Sequence, residues 1–527
     1  MLRTTRHNTA HNRQSGYQPG KGAIGTAPLR RPGAVALQSD GHADGNRSGE
    51  AGRRRQRSGR MDACMSVLHP LCRADENSRL RNFEDETKQA FDTIVPTLKK
   101  ISAIQHENDF EVQAQRIARD GMGFELPDDI LADAWVEQLD MRRLFAWCVF
   151  YTYRRFCDDF FSAKPTGAAE EFESFLQECG FHSMDISPCA DGRLAHLVRY
   201  VLRLSPRAVR RKSYAGAMFD VEDSIQKWME VELQRFREGR PNTADASTRY
   251  LKMVAYHYSS GDPEHQGCAA HGSDTDKAAQ AGLERLIAFR QAIENSFCCG
   301  ASIDLLLIGV DTDIDSIRVH VPDDNGQIEL DRYVDTQIIY AETTRLDASA
   351  AIQSIEASVN ECSPSVAAGM AKFIAYLIEN NLSQIDYVLA NHGEHYPDIG
   401  HAERFIGAGV GFEDIQLRNL MYFAYLDTVE EGAADLDVGI KIFKGLNASH
   451  GLPVPVVVRF DYHGGVPGAR ERAEQRCGRV AKALTGRYEE LYDHGLLHIL
   501  QVARDCDGDG PLEIFACSVN SNEAGGH

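Results

Sequence analysis

The apolar positions change their spacing partway along the chain. From Asn77 to about Phe161 they recur at helical intervals: Phe83, Phe91, Ile94 and Leu98 are three to eight residues apart, and Met141 to Phe150 is strongly apolar. Pro96 and Gly121-Met122-Gly123 punctuate this stretch, which reads as a small all-helical domain without detectable chemistry. From about residue 165 the pattern turns to α/β. Ile303 to Val310 is an apolar run of buried-strand length, preceded by the helical stretch Leu283 to Ala292, and Ile317 to Val321 alternates as a half-buried strand does. Leu251 to Ala255 reads as a strand end, and a helix is expected to start near Asp220.

The α/β unit then repeats. Asp505-Cys506-Asp507 after the strand-like Leu496 to Val502 mirrors Asp311-Thr312-Asp313 after its own strand, and Phe460 to Pro467 aligns without gaps on Tyr256 to Pro263. Asp398 to Arg404 loosely echoes Asp185 to Arg193, which would pair His401 with Cys189. In the second copy Asp461 stands at the His257 position and Arg472 at the Cys268 position, so any metal site of the first copy is lost there. The acidic group Asp311, Asp313 and Asp315 lacks the glycine and distal glutamate of an EF-hand and reads as a turn between strands.

Composition adds an asymmetry. Residues 1–60 hold eleven arginines and Lys21 against Asp40, Asp44 and Glu50, a net of +9, leaving −29 for the rest of a chain whose formal charge is −20. With Tyr17 as its one aromatic, this Arg-, Gly- and Ser-rich arm has too little apolar surface to offset ordering entropy, so disorder and an anionic partner are expected. A transit peptide would need an amphipathic stripe, and a nucleic-acid tail would need stacking aromatics; neither is present. No apolar run is long enough for a membrane span. The thirteen cysteines read as reduced thiols and metal ligands, with the vicinal pair Cys298-Cys299 taken as packing.

Chemistry concentrates in Cys189-Ala190-Asp191-Gly192-Arg193 and, some seventy residues on, in His257 and Cys268. Two thiolates and an imidazole make three zinc ligands, with a fourth position open for water, the pattern of a catalytic site. His265 and His271 flank Cys268 at three residues, and His265-x-x-Cys268 is a rival ligand pair; His257 is preferred because it follows a strand end, where a ligand is held rigidly. Asp191 and Arg193 apart from a metal would be an ordinary surface ion pair. A zinc deaminase would need Pro-Cys-x-x-Cys, and Pro188-Cys189 lacks the second cysteine.

At these residues the chain resembles the carboxysomal carbonic anhydrases, a divergent branch of the β class. The class signature is Cys-x-Asp-x-Arg followed by His and a second Cys; here the usual His-x-x-Cys has become His257 with ten residues before Cys268. The phrases Asp185 to Arg193 and Gly267 to Gly272 look like the carboxysomal branch, and the resemblance runs from about residue 75 to the C-terminus. It implies one zinc per chain held by Cys189, His257 and Cys268, with Asp191 accepting a hydrogen bond from the zinc-bound water or hydroxide that attacks CO2, and Arg193 holding Asp191 off the metal. It also implies a two-fold β-class pair fused into one chain with one site dead, a homodimer or larger homo-oligomer, contact with shell proteins, and a place in carboxysomes of the bacterial cytoplasm.

The expected organisation is therefore α/β: a disordered basic arm over 1–75, a helical domain over 76–163, a zinc catalytic domain over 164–395 and a degenerate metal-free repeat over 396–527. CO2 and bicarbonate are the expected substrates, Rubisco the expected partner of residues 1–60, and neither nucleic acid nor membrane is expected to bind. Arg207, Arg210, Arg211 and Lys212 form a basic group in an acidic body, a candidate clamp for a sugar-bisphosphate regulator because guanidinium groups grip phosphate bidentately. A cargo-to-shell scaffold with a vestigial zinc site is the alternative from another class.

Overall fold

A computed structural model describes residues 68–162, 168–206, 208–240, 242–243, 248–297, 302–412, 414–508 and 510–519. The basic arm over residues 1–60, Arg207 and the pair Cys298-Cys299 lie outside the described residues. The helical periodicity produces α1 (Ala74–Asp92), α2 (Ile94–Ala103), α3 (Phe110–Met122), α4 (Asp128–Asp133) and α5 (Met141–Ser162). Pro96 sits in the first turn of α2, where a missing N–H costs nothing, and Gly123 ends α3 in the left-handed region at φ 79°. The expected arm boundary at 75 moves earlier. His69 N–H donates to Asp386 (3.1 Å), its Nε2 meets Thr343 Oγ1 (2.8 Å) and Arg73 N–H donates to Ser383 Oγ (2.9 Å), so 69–75 are pinned to the body.

The first α/β unit follows α6 (Ala168–Glu178). It runs β1 (Ser183–Pro188), β2 (Arg210–Arg211), α7 (Val221–Arg237), β3 (Arg249–Tyr258), α8 (Thr275–Phe297), β4 (Ser302–Asp311), β5 (Ile317–His320) and β6 (Tyr333–Asp335). Helices α9 (Thr336–Thr343), α10 (Ala348–Cys362) and α11 (Ala368–Asn391) lead to the second unit. That unit is β7 (Phe405–Val410), β8 (Met421–Tyr425), α12 (Ala433–Leu446), β9 (Val454–Phe460), α13 (Ala469–Arg487), α14 (Glu489–Asp493), β10 (Leu497–Ala503) and β11 (Glu513–Cys517).

The sheets run β2-β1-β3-β4-β5-β6 and β8-β7-β9-β10-β11. The first four strands of each are parallel and the fifth antiparallel, in the same chain order. Two acidic turns seal the correspondence. Asp311 Oδ1 accepts Ser260 N–H (3.2 Å) and Asp313 Oδ2 accepts Gly261 N–H (2.6 Å), while Asp505 and Asp507 hold Gly464 and Gly465 in the same way (2.8 and 2.9 Å). Those two sequence echoes are structural equivalents. The third is not: Asp398–Arg404 precedes β7, whereas Cys189 follows β1. Ala255 pairs with Pro188 and Phe460 with Val410, so Val410 takes the place of Cys189 and the pairing of His401 with Cys189 is wrong. A short polar match without its strand carries no register; the hydrogen-bond ladder does.

The helical domain covers the second sheet. Leu98, Leu144 and Phe150 share one buried cluster with Phe405, Phe423, Val457 and Leu500, while α12 and α13 cover the opposite face through Ile440, Phe443, Val480 and Leu484. Among the described residues no helix is long and apolar enough to cross a membrane.

Candidate metal centre

In a parallel sheet the strand ends all point one way, so side chains at their carboxyl ends converge. Cys189 is the first residue past β1, its N–H on Ala255 O (3.1 Å), and His257 is second to last in β3. Cys268 precedes the short 3-10 turn Ala269–His271 ahead of α8. Gly267 allows that approach, since a Cβ there would lie 2.7 Å from the Ser273 carbonyl oxygen. All three side chains are buried, with ligand atoms within 4.8 Å of one another, the one such donor group among the described residues. His265 is exposed on Asp262 and His271 Nε2 meets Gly216 O (3.0 Å), so neither joins it.

Two thiols and an imidazole are a zinc donor set. The sulfurs are 3.9 Å apart, close to the ~3.8 Å that two Zn–S bonds of ~2.3 Å subtend at a tetrahedral angle. His257 Nδ1 is buried without a hydrogen-bond partner among the described residues, an orphan that a bound ion accounts for. The residues fit zinc. Their own hydrogen bond raises the Cys189 thiol, which burial raises further, and lowers Cys268.

Asp191 and Arg193 interlock beside the ligands. Arg193 donates Nε to Asp191 Oδ1 (3.0 Å) and Nη2 to Oδ2 (2.8 Å), and its backbone N–H adds a third bond to Oδ1 (2.9 Å). Burial pushes the Asp191 carboxyl up, but Arg193 and His257 outweigh it and hold it well below the usual carboxylate range. The guanidinium is braced by Gln266 O (2.7 Å) and Thr312 Oγ1 (3.3 Å), and Thr312 N–H donates to Tyr258 O (2.9 Å). The acidic turn is thus a scaffold under the site: Asp311 and Asp313 clamp the loop leaving His257. Buried Asp315 joins His196 (2.7 Å), Tyr396 (2.6 Å), Gln384 (2.9 Å) and Arg418 (3.2 Å).

The second half fills the equivalent place with an ion cluster. Val410 and Asp461 replace Cys189 and His257, and Arg472 lies on α13 with Nη1 on Pro467 O (3.0 Å). Fully buried Arg459 forks onto Asp461 (2.8 Å) and Asp414 (2.8 Å) and donates to Tyr153 Oη (3.0 Å). A fixed guanidinium thus lies against Asp461, the residue at the His257 position.

Of the basic group, Arg211 donates to the Ala195 and Leu194 carbonyls (2.6 and 3.3 Å), Arg210 to Lys227 O (3.3 Å), and Lys212 pairs with Asp223. With Lys227 and Arg476 these three line a cavity of about 200 Å³. Sequence reasoning missed His401 and Glu403 as neighbours of the site: the charges of Asp191 and Arg193 act on His401, and Glu403 abuts Gly192. Only the tertiary packing of one half on the other reveals this.

Family models for the carboxysome shell carbonic anhydrase match the chain in three parts, N-terminal over residues 69–161, catalytic over 171–401 and C-terminal over 402–519. The chain is 51% identical over 515 residues to a carboxysome shell carbonic anhydrase of Prochlorococcus marinus (strain MIT 9313), spanning 96% of this chain and 98% of that protein. Its identity to that of Parasynechococcus marenigrum (strain WH8102) is 56% over 458 residues, spanning 86% and 79%. The corresponding protein of Halothiobacillus neapolitanus (strain ATCC 23641 / c2) is 44% identical over 477 residues, spanning 87% and 93%.

Proposed function

Because the chain belongs to the carboxysome shell carbonic anhydrase family, we propose that it interconverts CO2 and bicarbonate at one zinc held by Cys189, His257 and Cys268, supplying CO2 to Rubisco inside carboxysomes. The observation that carries this is the buried donor group beside the Asp191–Arg193 fork. Cys189, His257 and Cys268 would hold the zinc, which when bound would lower the pKa of a water from ~15.7 towards ~7 and so supply a nucleophile at neutral pH. Asp191 stays an anion and accepts a hydrogen bond from the reacting water. Arg193 occupies both carboxylate oxygens, which would hold Asp191 back from ligating the zinc. Burial of the site excludes bulk water, so these contacts act in a low dielectric. Elemental analysis together with CO2 hydration tests the proposal: one zinc per chain and catalysed hydration are expected, whereas zinc without hydration returns the scaffold reading.

The domain limits at 164 and 396, a homo-oligomeric state and attachment to shell proteins belong to the same proposal. So does recruitment of Rubisco by residues 1–60 through many weak arginine contacts on an acidic surface. Binding then weakens steeply with salt, since exposed charges more than ~8–10 Å apart are screened near physiological ionic strength. Deleting residues 1–60 is expected to leave hydration kinetics unchanged and to abolish co-sedimentation with Rubisco. Persistent co-sedimentation, or binding of the intact protein that ignores salt, counts against it.

The cavity lined by Arg210, Arg211 and Lys212 is the proposed sugar-bisphosphate site; Arg207, the other cation of that group in the sequence, lies outside the described residues. Its described cations already have protein partners, so a phosphate would have to compete with them. Rubisco's bisphosphate substrate at up to millimolar concentration is expected to change the hydration rate, and Arg210→Ala/Arg211→Ala is expected to remove the response. Because Arg211 carries structural bonds, Arg210→Ala alone is the cleaner variant. A wild-type rate indifferent to the ligand refutes the regulatory site.

A further inference from the structure

Each CO2 hydrated releases one proton, which must leave a buried site. Asp191 is a poor carrier: its side chain is 9% exposed, and the interlock with Arg193 keeps it ionised. His257 and the two thiols are buried as ligands. The segment ahead of β7 brings in another pair from the opposite half of the chain. His401 Nδ1 lies 2.9 Å from Glu403 Oε1; the Glu403 side chain is 0% exposed and that of His401 41%.

This pair is built into the motif loop. A Cβ at Gly192 would lie 2.2 Å from Glu403 Oε1 and 2.8 Å from its Cγ and Cδ, so the glycine between Asp191 and Arg193 is what lets the carboxylate in. From the same half, Asn419 N–H donates to Gly192 O (2.8 Å). Glu403 Oε2 is buried without a hydrogen-bond partner among the described residues. The charges that act on His401 are those of Glu403, Asp191 and Arg193, and His401 in turn helps to lower Asp191. Neighbouring Arg404 is engaged elsewhere, with Asp92 and the Ala402 carbonyl.

We infer that His401, oriented by Glu403, receives the proton released at the metal centre and passes it to solvent. The inference rests on the carbonic anhydrase reading. Nδ1–H donates to the Glu403 carboxylate, which leaves the Nε2 lone pair to accept. Hydration turns CO2 and H2O into bicarbonate and H⁺; the proton adds to Nε2, and the imidazolium then loses it to buffer. The hydrogen bond to the Glu403 carboxylate raises the His401 pKa above its ordinary value, against the effect of burial. A group that must both take and give a proton works best when its pKa lies near the operating pH, and His401 titrates in the histidine range rather than the carboxylate range of Asp191. Glu403 is the positioning residue.

The test is stopped-flow CO2 hydration by the full-length, zinc-loaded protein at varied buffer concentration. Wild-type hydration in concentrated buffer is measured first and decides the carbonic anhydrase reading separately. In dilute buffer His401→Ala is expected to lower kcat at least about tenfold, with kcat/KM for CO2 and zinc content unchanged, and added imidazole is expected to restore kcat. His401→Gln should behave likewise. Glu403→Gln should move the pH profile of kcat to lower pH, because His401 loses its anionic partner, a shift that a purely structural role does not produce. Parallel loss of kcat and kcat/KM, failure of imidazole to rescue, or an unchanged kcat in dilute buffer overturns the inference.

Discussion

Cys189→Ser and Cys268→Ser are each expected to yield a protein that holds no zinc and hydrates CO2 no faster than water alone. The centre has three protein donors and no spare: no further His, Cys, Asp or Glu joins the group among the described residues. Replacing a thiolate by a hydroxyl removes a charged soft ligand and leaves two. Asp191→Asn separates binding from chemistry. It keeps the ligands but loses the anion proposed to accept from the reacting water and half of the fork to Arg193. Zinc should remain at one per chain while the rate falls by roughly 10²–10⁴, the usual range for a positioned acid–base group. Zinc by elemental analysis and stopped-flow hydration read both. Metal retained in His257→Ala but lost in His265→Ala would move the imidazole ligand, and two zincs per chain would contradict the metal-free second half.

Arg459→Met is expected to be the most destabilising single change away from the metal. Arg459 is fully buried between Asp414 and Asp461, with bonds of 2.8 Å to each and one of 3.0 Å to Tyr153. Removing it leaves two buried carboxylates without their counter-charge, and breaking such a cluster costs about 3–5 kcal/mol. Burial already pushes the Asp461 carboxyl up, so without the guanidinium it would be neutral more readily. Adding Asp414→Asn and Asp461→Asn to Arg459→Met should recover most of the loss, because the cost comes from unpaired charge rather than from missing volume. Urea unfolding followed by circular dichroism checks both. A single variant as stable as the parent would mean that the buried cluster does not hold this half together.

Much of the organisation was legible because it is written locally. The helical spacing around Phe91, Ile94 and Leu98 became α1 and α2, and the run Ile303 to Val310 became β4. The gapless match of Phe460 to Pro467 on Tyr256 to Pro263 survived because each copy is a strand end followed by a loop held by an acidic turn, Asp311 and Asp313 or Asp505 and Asp507. The looser echo at Asp398 failed for want of a strand to set its register.

The donor types were likewise decided by the sequence. Cys189, Asp191 and Arg193 follow one another at two-residue spacing, and a place near the end of a strand marks His257 over His265 in a loop. What the tertiary structure alone decided is where charge goes once the halves pack. Thr312 comes to brace Arg193, a buried guanidinium pairs with Asp461 and Asp414 in the second half, and Glu403 enters beside Gly192 from some two hundred residues away. Local spacing records which side chains share a strand or a turn. It records nothing of which distant carboxylate is buried against them, because that contact is set by how the two sheets and their covering helices bury their apolar faces together.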